Sequence, residues 1–326
     1  MRSPRLAVVA IGRNEGARLR RCLASVIDRA SLVVYVDSGS NDDSLTIALA
    51  AGCEVLELDM RIPFTAARAR NEGFSLARRM RPDLSYVQFV DGDCEVVAGW
   101  LEKAMVYLDE HRQTAVVCGR RRERFPQRSV YNLLCDIEWD TPVGEARACG
   151  GDAMVRVAAF VAVNGYRPEL IAGEEPELCV RLRTAGWHVW RLGEEMTLHD
   201  AAITRFGQWW RRALRGGYAF AEGAFLHGAA PERHWVRESR SAWLWGLGLP
   251  VLVLVSAMCA SPVAFVVLAS YPLQIVRIAL RGGRSRRENW WRAMFLVAGK
   301  FPEMLGQLKF VIDRLTGRRA NIIEYK

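Results

Sequence analysis

Cysteine is present but unorganised in this 326-residue chain: there are eight, with no CxxC pair and no regular spacing. That pattern excludes a zinc ribbon and a disulfide scaffold, and it reads as buried thiols of a reducing compartment. Internal repeats, Gly/Ser linkers and low-complexity tracts are also missing, which removes solenoids and flexible arrays. No GxGxxG follows the first apolar run. Gly12-Arg13-Asn14-Glu15-Gly16 stands there instead, which speaks against a nicotinamide-dependent dehydrogenase. Only six apolar residues, Leu6–Ile11, precede Gly12, too few for a signal-peptide core, so the N-terminal domain is expected to stay in the cytosol. The longest absence is of charge. Ser241 to Val276, 36 residues, contains no Asp, Glu, Lys or Arg.

What is there suits a folded enzyme. Hydrophobic residues make up 51% of the chain and charged residues 25%, so a sizeable core is available and global disorder is excluded. The length suits a catalytic domain with an appendage. Charge is unevenly placed: residues 1–202 hold 26 basic and 29 acidic residues, whereas 203–326 hold 19 and 7. The positive excess coincides with the apolar third of the chain, which favours an anionic membrane surface over nucleic acid.

In the first two hundred residues short β-rich runs alternate with helical patterns. Leu6–Ile11, Leu32–Val36, Glu54–Leu58, Tyr86–Val90 and Ala115–Gly119 predict strands, with a later strand-like run at His188–Leu192. Apolar strands separated by helices imply an α/β fold with a mostly parallel, Rossmann-like sheet, expected over residues 1–220. Ligands in such sheets bind beyond the carboxyl ends of the strands, and two of these strands end in clustered Asp. A helical, membrane-associated region is expected over 221–326. As one helix, Ser241–Val276 would be about 54 Å long against a hydrocarbon core of roughly 30 Å. Halved near Cys259-Ala260-Ser261-Pro262, it forms an apolar hairpin over 241–280. Arg233, Arg237 and Arg240 stand before it, and Arg277, Arg281, Arg284, Arg286 and Arg287 after it, which places both flanks on the cytosolic side of the inner membrane. An interfacial helix is expected over 290–315, where Trp, Phe and Lys/Arg mix.

Three acidic clusters carry chemistry. Asp37, in Val36-Asp37-Ser38-Gly39-Ser40-Asn41-Asp42, can accept hydrogen bonds from a base or ribose, or the segment can cap the next helix through Ser40 or Asp42. Asp91 and Asp93, flanking Gly92 at a strand end, repel one another unless a cation neutralises them, and Mg²⁺ or Mn²⁺ wants such oxygen ligands. A solvated turn is the plainer alternative. Glu174, Glu175 and Glu177 open a helical stretch, where the macrodipole favours acids and a general base could equally sit. Glu177 and Arg181 are spaced as an i,i+4 pair.

Together with Val9-Ala10-Ile11-Gly12-Arg13-Asn14-Glu15, these segments resemble, in order and spacing over about residues 5–220, the family 2 inverting glycosyltransferases of GT-A type. The resemblance implies transfer of a sugar from a nucleoside-diphosphate donor, with a UDP-sugar the leading candidate, to a hydroxyl of a saccharide or lipid-linked acceptor with the help of Mn²⁺ or Mg²⁺. Residue by residue it implies Asp37, Arg68, Asn71, Asp91 and Asp93 at the donor, with Asp93 and Asp91 at the metal and His199 as a further metal or diphosphate ligand. It implies Gly150, Gly151, Asp152 and Glu174 on the acceptor side. Glu175 falls where the family's catalytic base is Asp. Gln208 and Arg211 resemble the Q-x-x-R-W motif of processive members, but Arg212 replaces its Trp, so processive polymerisation is not expected. Two alternatives remain open: transfer to polyprenyl phosphate, which needs no base, and an inactive homologue serving as a membrane scaffold.

Overall fold

A computed structural model describes residues 3–318 and 322–324. The expected strands are present: β1 (Ser3–Gly12), β2 (Ala30–Asp37), β3 (Glu54–Glu57), β4 (Tyr86–Asp91), then β6 (Thr114–Glu123) and β9 (His188–His199). Three short ones join them, β5 (Cys94–Val96), β7 (Gly144–Glu145) and β8 (Ala153–Arg156). The sheet runs β3-β2-β1-β4-β8-β6-β9-β5, with β7 on β9. The first four strands are parallel, and so are β6 and β9. β8, however, enters antiparallel to both β4 and β6, and β5 and β7 pair antiparallel with β9. Six of the nine strands, including all the long ones, thus run the same way, as expected, and the three short ones run against them. Strands of two to four residues leave too little period to read from sequence.

The central strands are apolar because both faces are covered. Leu6 to Ala10 of β1 have no exposure at all. The helix Ala66–Met80 packs on β1 and β2 through Gly73, where a Cβ would lie 2.6 Å from Val9 and 2.7 Å from Val36. Register then sets the site. Ile11 pairs with Asp91 on one side of β1 and Gly12 with Asp37 on the other, so both acidic ends reach one edge. His199, at the end of β9, pairs with Cys94 on β5 and Glu123 on β6.

The chain divides into two compact units, one of residues 1–128 and 135–202, the other of 129–134 and 203–326. The expected boundary at 220 lies inside one continuous helix, Phe206–His227, so the change of unit comes earlier. Within the second unit Tyr131, Trp209 and Phe295 form an aromatic cluster. Among the described residues two helices are long and apolar enough to cross a membrane, Val236–Met258 and Val263–Leu280, separated at the expected break. Only 17% and 11% of their most apolar windows is buried. The single helix expected over 290–315 is two, Arg286–Ala298 and Lys300–Leu315. Pro302 has no N–H to give a preceding turn and fits the first turn of a new helix. That second helix buries Met304, Gln307 and Phe310 while Leu305, Leu308, Ile312 and Leu315 stay exposed.

Candidate active site

In the first unit a buried guanidinium gathers three carboxylates. Arg70, 2% exposed, donates from Nη2 to Asp91 Oδ1 at 2.8 Å and from Nη1 to Glu174 Oε1 at 2.9 Å, and lies 3.0 Å from Glu175 Oε1. A second, Arg121, reaches Asp91 Oδ2 at 3.2 Å and Asp152 Oδ2 at 3.5 Å, and stacks under the ring of Trp139 at 4.8 Å. Asp91 thus has two cationic neighbours. Burial alone would push its carboxyl up, yet Arg70 and Arg121 hold it below the usual range. Glu175 has less support. Burial first, then the Glu174 carboxylate, push it up to about 7 against the pull of Arg70. It opens the helix Glu174–Thr184, whose N-cap, Gly173, takes the left-handed conformation with φ 77°. Glu177 lies beyond the cluster, held by Arg181 at 2.7 Å and Arg167 at 2.8 Å, as its spacing predicts.

Gly151 shows how tightly the loop fits over these groups. A Cβ there would stand 2.4 Å from Arg70 Nη2, 3.0 Å from Glu175 Oε1 and 3.1 Å from Asp91 Oδ2. Gly150 is open by comparison, with only Arg121 near at 3.8 Å. Asp152 is fully buried, accepting from the Asp91 N–H at 3.0 Å and from the Thr197 hydroxyl at 2.7 Å, so it fixes the turn rather than facing an acceptor.

Other residues expected at the donor are engaged inside the protein. The Asp37 carboxylate accepts from the Tyr35 hydroxyl, the Gly39 and Ser40 N–H groups and the Ser40 hydroxyl. Four bonds fill a carboxylate's acceptor capacity, so Asp37 shapes its loop and has no lone pair left for a base in this conformation. Arg68 binds Glu72 and the carbonyls of Ile62 and Asp59. Asn71 holds both backbone groups of Tyr166. Gln208, in the second unit, accepts from the N–H groups of Thr204 and Arg205 at the start of its helix, and Arg211 is exposed, with Nε donating to the Gly207 carbonyl.

The other end of the turn offers a donor set for a cation. Asp93, Cys94 and His199 are all buried, with ligand atoms within 4.8 Å of one another, and His199 Nε2 is 3.2 Å from Asp93 Oδ2. Burial pushes the Cys94 thiol up and keeps it protonated, which leaves Asp93 oxygen and His199 nitrogen as the useful ligands. The set fits a divalent cation. Asp91 belongs instead with the arginines, although Asp91, Cys94 and Asp152 form a second such group.

Residues 8–144 match the family described as Glycosyl transferase family 2. The chain carries a family 2 glycosyltransferase domain. A stretch of 126 residues, 35% of this chain, is 32% identical to Polypeptide N-acetylgalactosaminyltransferase 13 of Rattus norvegicus and covers 22% of that protein. Another of 98 residues, 30% of the chain, is 33% identical to a TPR repeat-containing protein of Synechococcus elongatus and covers 23% of it. The matched stretches take in less than a quarter of either relative. Among solved structures, the fold is similar to mannosyltransferase PcManGT from Pyrobaculum calidifontis, in complex with GDP-Man and Mn²⁺. The TM-score is 0.62 at 17% identity over 94% of this chain and 89% of that one. The glycosyltransferase domain thus has the GT-A type of fold.

Arg121, Glu123 and Trp139 were not singled out by the motifs, and Arg70 was passed over for its neighbours Arg68 and Asn71. For Arg70 a signal existed. It stands three residues before Gly73 and seven before Ala77, on the helix face that packs against the sheet.

Proposed function

We propose that the chain is a divalent-metal-dependent, inverting glycosyltransferase that moves a sugar from a nucleoside diphosphate, a UDP-sugar first among the candidates, to a hydroxyl of a membrane-linked saccharide or lipid. The observation that carries this is Glu175, a partly exposed carboxylate poised near 7 at a helix N-terminus beside Asp91 and Arg70. A group of that proton affinity suits a general base at neutral pH. In the proposed reaction Glu175 takes the acceptor's hydroxyl proton as that oxygen attacks the anomeric carbon and the bond to the diphosphate breaks. Asp93 and His199 would hold the cation, which neutralises diphosphate charge when bound. Asp91, Asp152, Glu174 and Glu175 surround two arginines, an excess of carboxylates that repels an anionic acceptor and favours a hydroxyl over a polyprenyl phosphate. Release of nucleoside diphosphate from the donor sugar should require Mn²⁺ or Mg²⁺ and fall at least tenfold in Asp93→Asn. Full activity in excess chelator would refute the metal's part.

The setting we propose is the inner membrane, with the catalytic domain in the cytosol. Nearly bare apolar helices support it, as do their Arg-rich flanks and the position of seven of the eleven tryptophans in residues 203–326. A helix of 18 residues spans about 27 Å, close to the hydrocarbon thickness. The protein should remain in the membrane pellet at 1 M salt, on the order of ten times the ionic strength at which surface charges are already screened, and should dissolve only in detergent. Quantitative release by salt would sink the hairpin.

A further inference from the structure

We infer that Glu123 is a positioning residue that orients His199 toward the divalent cation, an inference that rests on the metal reading above. His199 is flanked by carboxylates on both edges of its ring. Nε2 is 3.2 Å from Asp93 Oδ2, and Nδ1 is 3.6 Å from Glu123 Oε2. The backbone register imposes this sandwich, because His199 pairs with Cys94, the neighbour of Asp93, on one side and with Glu123 on the other. Both His199 and Glu123 are buried, 5% and 3% exposed. Nδ1 has no hydrogen-bond partner at this geometry, and a buried ring nitrogen without one needs an explanation.

The surroundings supply it. Glu123 is fixed by two backbone donors, Phe125 N–H to Oε1 at 3.1 Å and Ala201 N–H to Oε2 at 3.0 Å. The Trp139 ring stands almost perpendicular to the imidazole, at 87° and 4.7 Å between centroids, and restricts tilting. A small slide toward Glu123 closes the Nδ1 gap to hydrogen-bond distance and opens space between Nε2 and Asp93. A metal-binding histidine commonly gives its second N–H to a carboxylate, which fixes the tautomer and strengthens the ligand. Here that arrangement makes Nδ1 the donor to Glu123 and turns the Nε2 lone pair toward the ion beside Asp93. In sequence Glu123 is one acid inside Arg120-Arg121-Arg122-Glu123-Arg124, which reads as a charged strand end and nothing more.

The test is Mn²⁺ binding to the full chain in detergent, followed by electron paramagnetic resonance of the free ion, for the unaltered protein and for E123Q, H199Q and D93N. E123Q should weaken Mn²⁺ binding by roughly 10–100-fold, the usual worth of such an outer partner. Its turnover should return when Mn²⁺ is raised to saturation, and its melting point shows whether it folds. H199Q and D93N should lose the high-affinity ion. A folded E123Q that binds Mn²⁺ as tightly as the unaltered protein overturns the role of Glu123 and leaves the metal reading standing. An unaltered protein that takes up no Mn²⁺ brings down both. A second readout needs no folded variant of Glu123: ¹⁵N-histidine spectra of the unaltered protein in Mg²⁺, with His199 assigned by H199Q. The proton should sit on Nδ1 of His199, and a proton on Nε2 under those conditions overturns the inference.

Discussion

Glu175→Gln should bind the nucleoside-diphosphate donor nearly as well as the unaltered protein while its turnover falls by roughly 10²–10⁴-fold, the range expected for loss of a general base. The amide keeps the shape of the side chain but removes its charge and with it the ability to take a proton. The pH profile carries the sharper signature. A base must be ionised to work, and this carboxyl is pushed up to about 7. Turnover at saturating metal should therefore rise with pH through neutrality, level off above about 7, and lose that limb in Glu175→Gln. Glu175→Asp should keep part of the activity, since a shorter carboxylate still ionises at the same helix end. Glu174→Gln should act through its bond to Arg70 and cost less. If Glu174→Gln stops the reaction and Glu175→Gln does not, the base is the neighbour. Stability gives an independent check. The folded-state value lies above the unfolded one, so ionising Glu175 works against the fold. The penalty is absent below about pH 4, builds up between there and about 7, and then stays constant. Glu175→Gln should accordingly be more resistant to denaturant than the unaltered protein at pH 8, and no more resistant at pH 4.

Arg70→Met should strongly destabilise the first unit. Three carboxylates, from β4 and from the helix Glu174–Thr184, share this one buried guanidinium. Removing one partner of a buried ion pair costs about 3–5 kcal/mol, because the remaining charge is left uncompensated. The sign of the pH dependence follows. Without Arg70 the Glu175 carboxyl, already pushed up by burial and by Glu174, loses the cation that pulls it down, so the loss is smallest in acid, where it is protonated, and grows as pH rises toward neutrality. Denaturant unfolding at pH 5 and pH 8 should show a much smaller deficit at pH 5. Arg70→Lys should fall between, since an ammonium cannot present a planar fork to three acceptors. Equal stability of Arg70→Met and the unaltered protein at pH 8 would show that the cluster is not held by this residue.

The strand ends were legible in the sequence because a buried parallel strand is a near-continuous apolar run, and Leu6–Ile11, or Tyr86–Val90 with Gln88 as its one polar interruption, needs no partner to be recognised. The two apolar helices were legible for a related reason, as 36 residues without charge stand out from the rest of the chain. The far ends of β6 and β9 were hidden, as were the short β5, β7 and β8. β6 continues through Arg120-Arg121-Arg122-Glu123 and β9 through Glu194 and Glu195, where charges mask the extended run. Within the site, motif spacing located the acidic clusters and missed what neutralises them. Arg70 and Arg121 come from a helix and a strand far apart in sequence, and their convergence on Asp91 depends on sheet order, which no local pattern records. The same gap explains Asp37. Its position was legible, but the four donors that fill its carboxylate belong to the conformation of the turn.

The helix Val130–Glu138 begins in one unit and ends in the other. Its first residues are tied to the segment where the second unit resumes: the Ser129 hydroxyl donates to the Ile203 carbonyl, and Asn132 accepts from the Ile203 N–H. A fragment stopped at Ala202 would strip Tyr131 of Trp209 and Phe295 and leave the fully buried Asn132 facing solvent. No single cleavage separates these halves cleanly. An isolated first unit would have to bring residues 129–134 new neighbours, and joining it to a different second unit would meet the same obstacle.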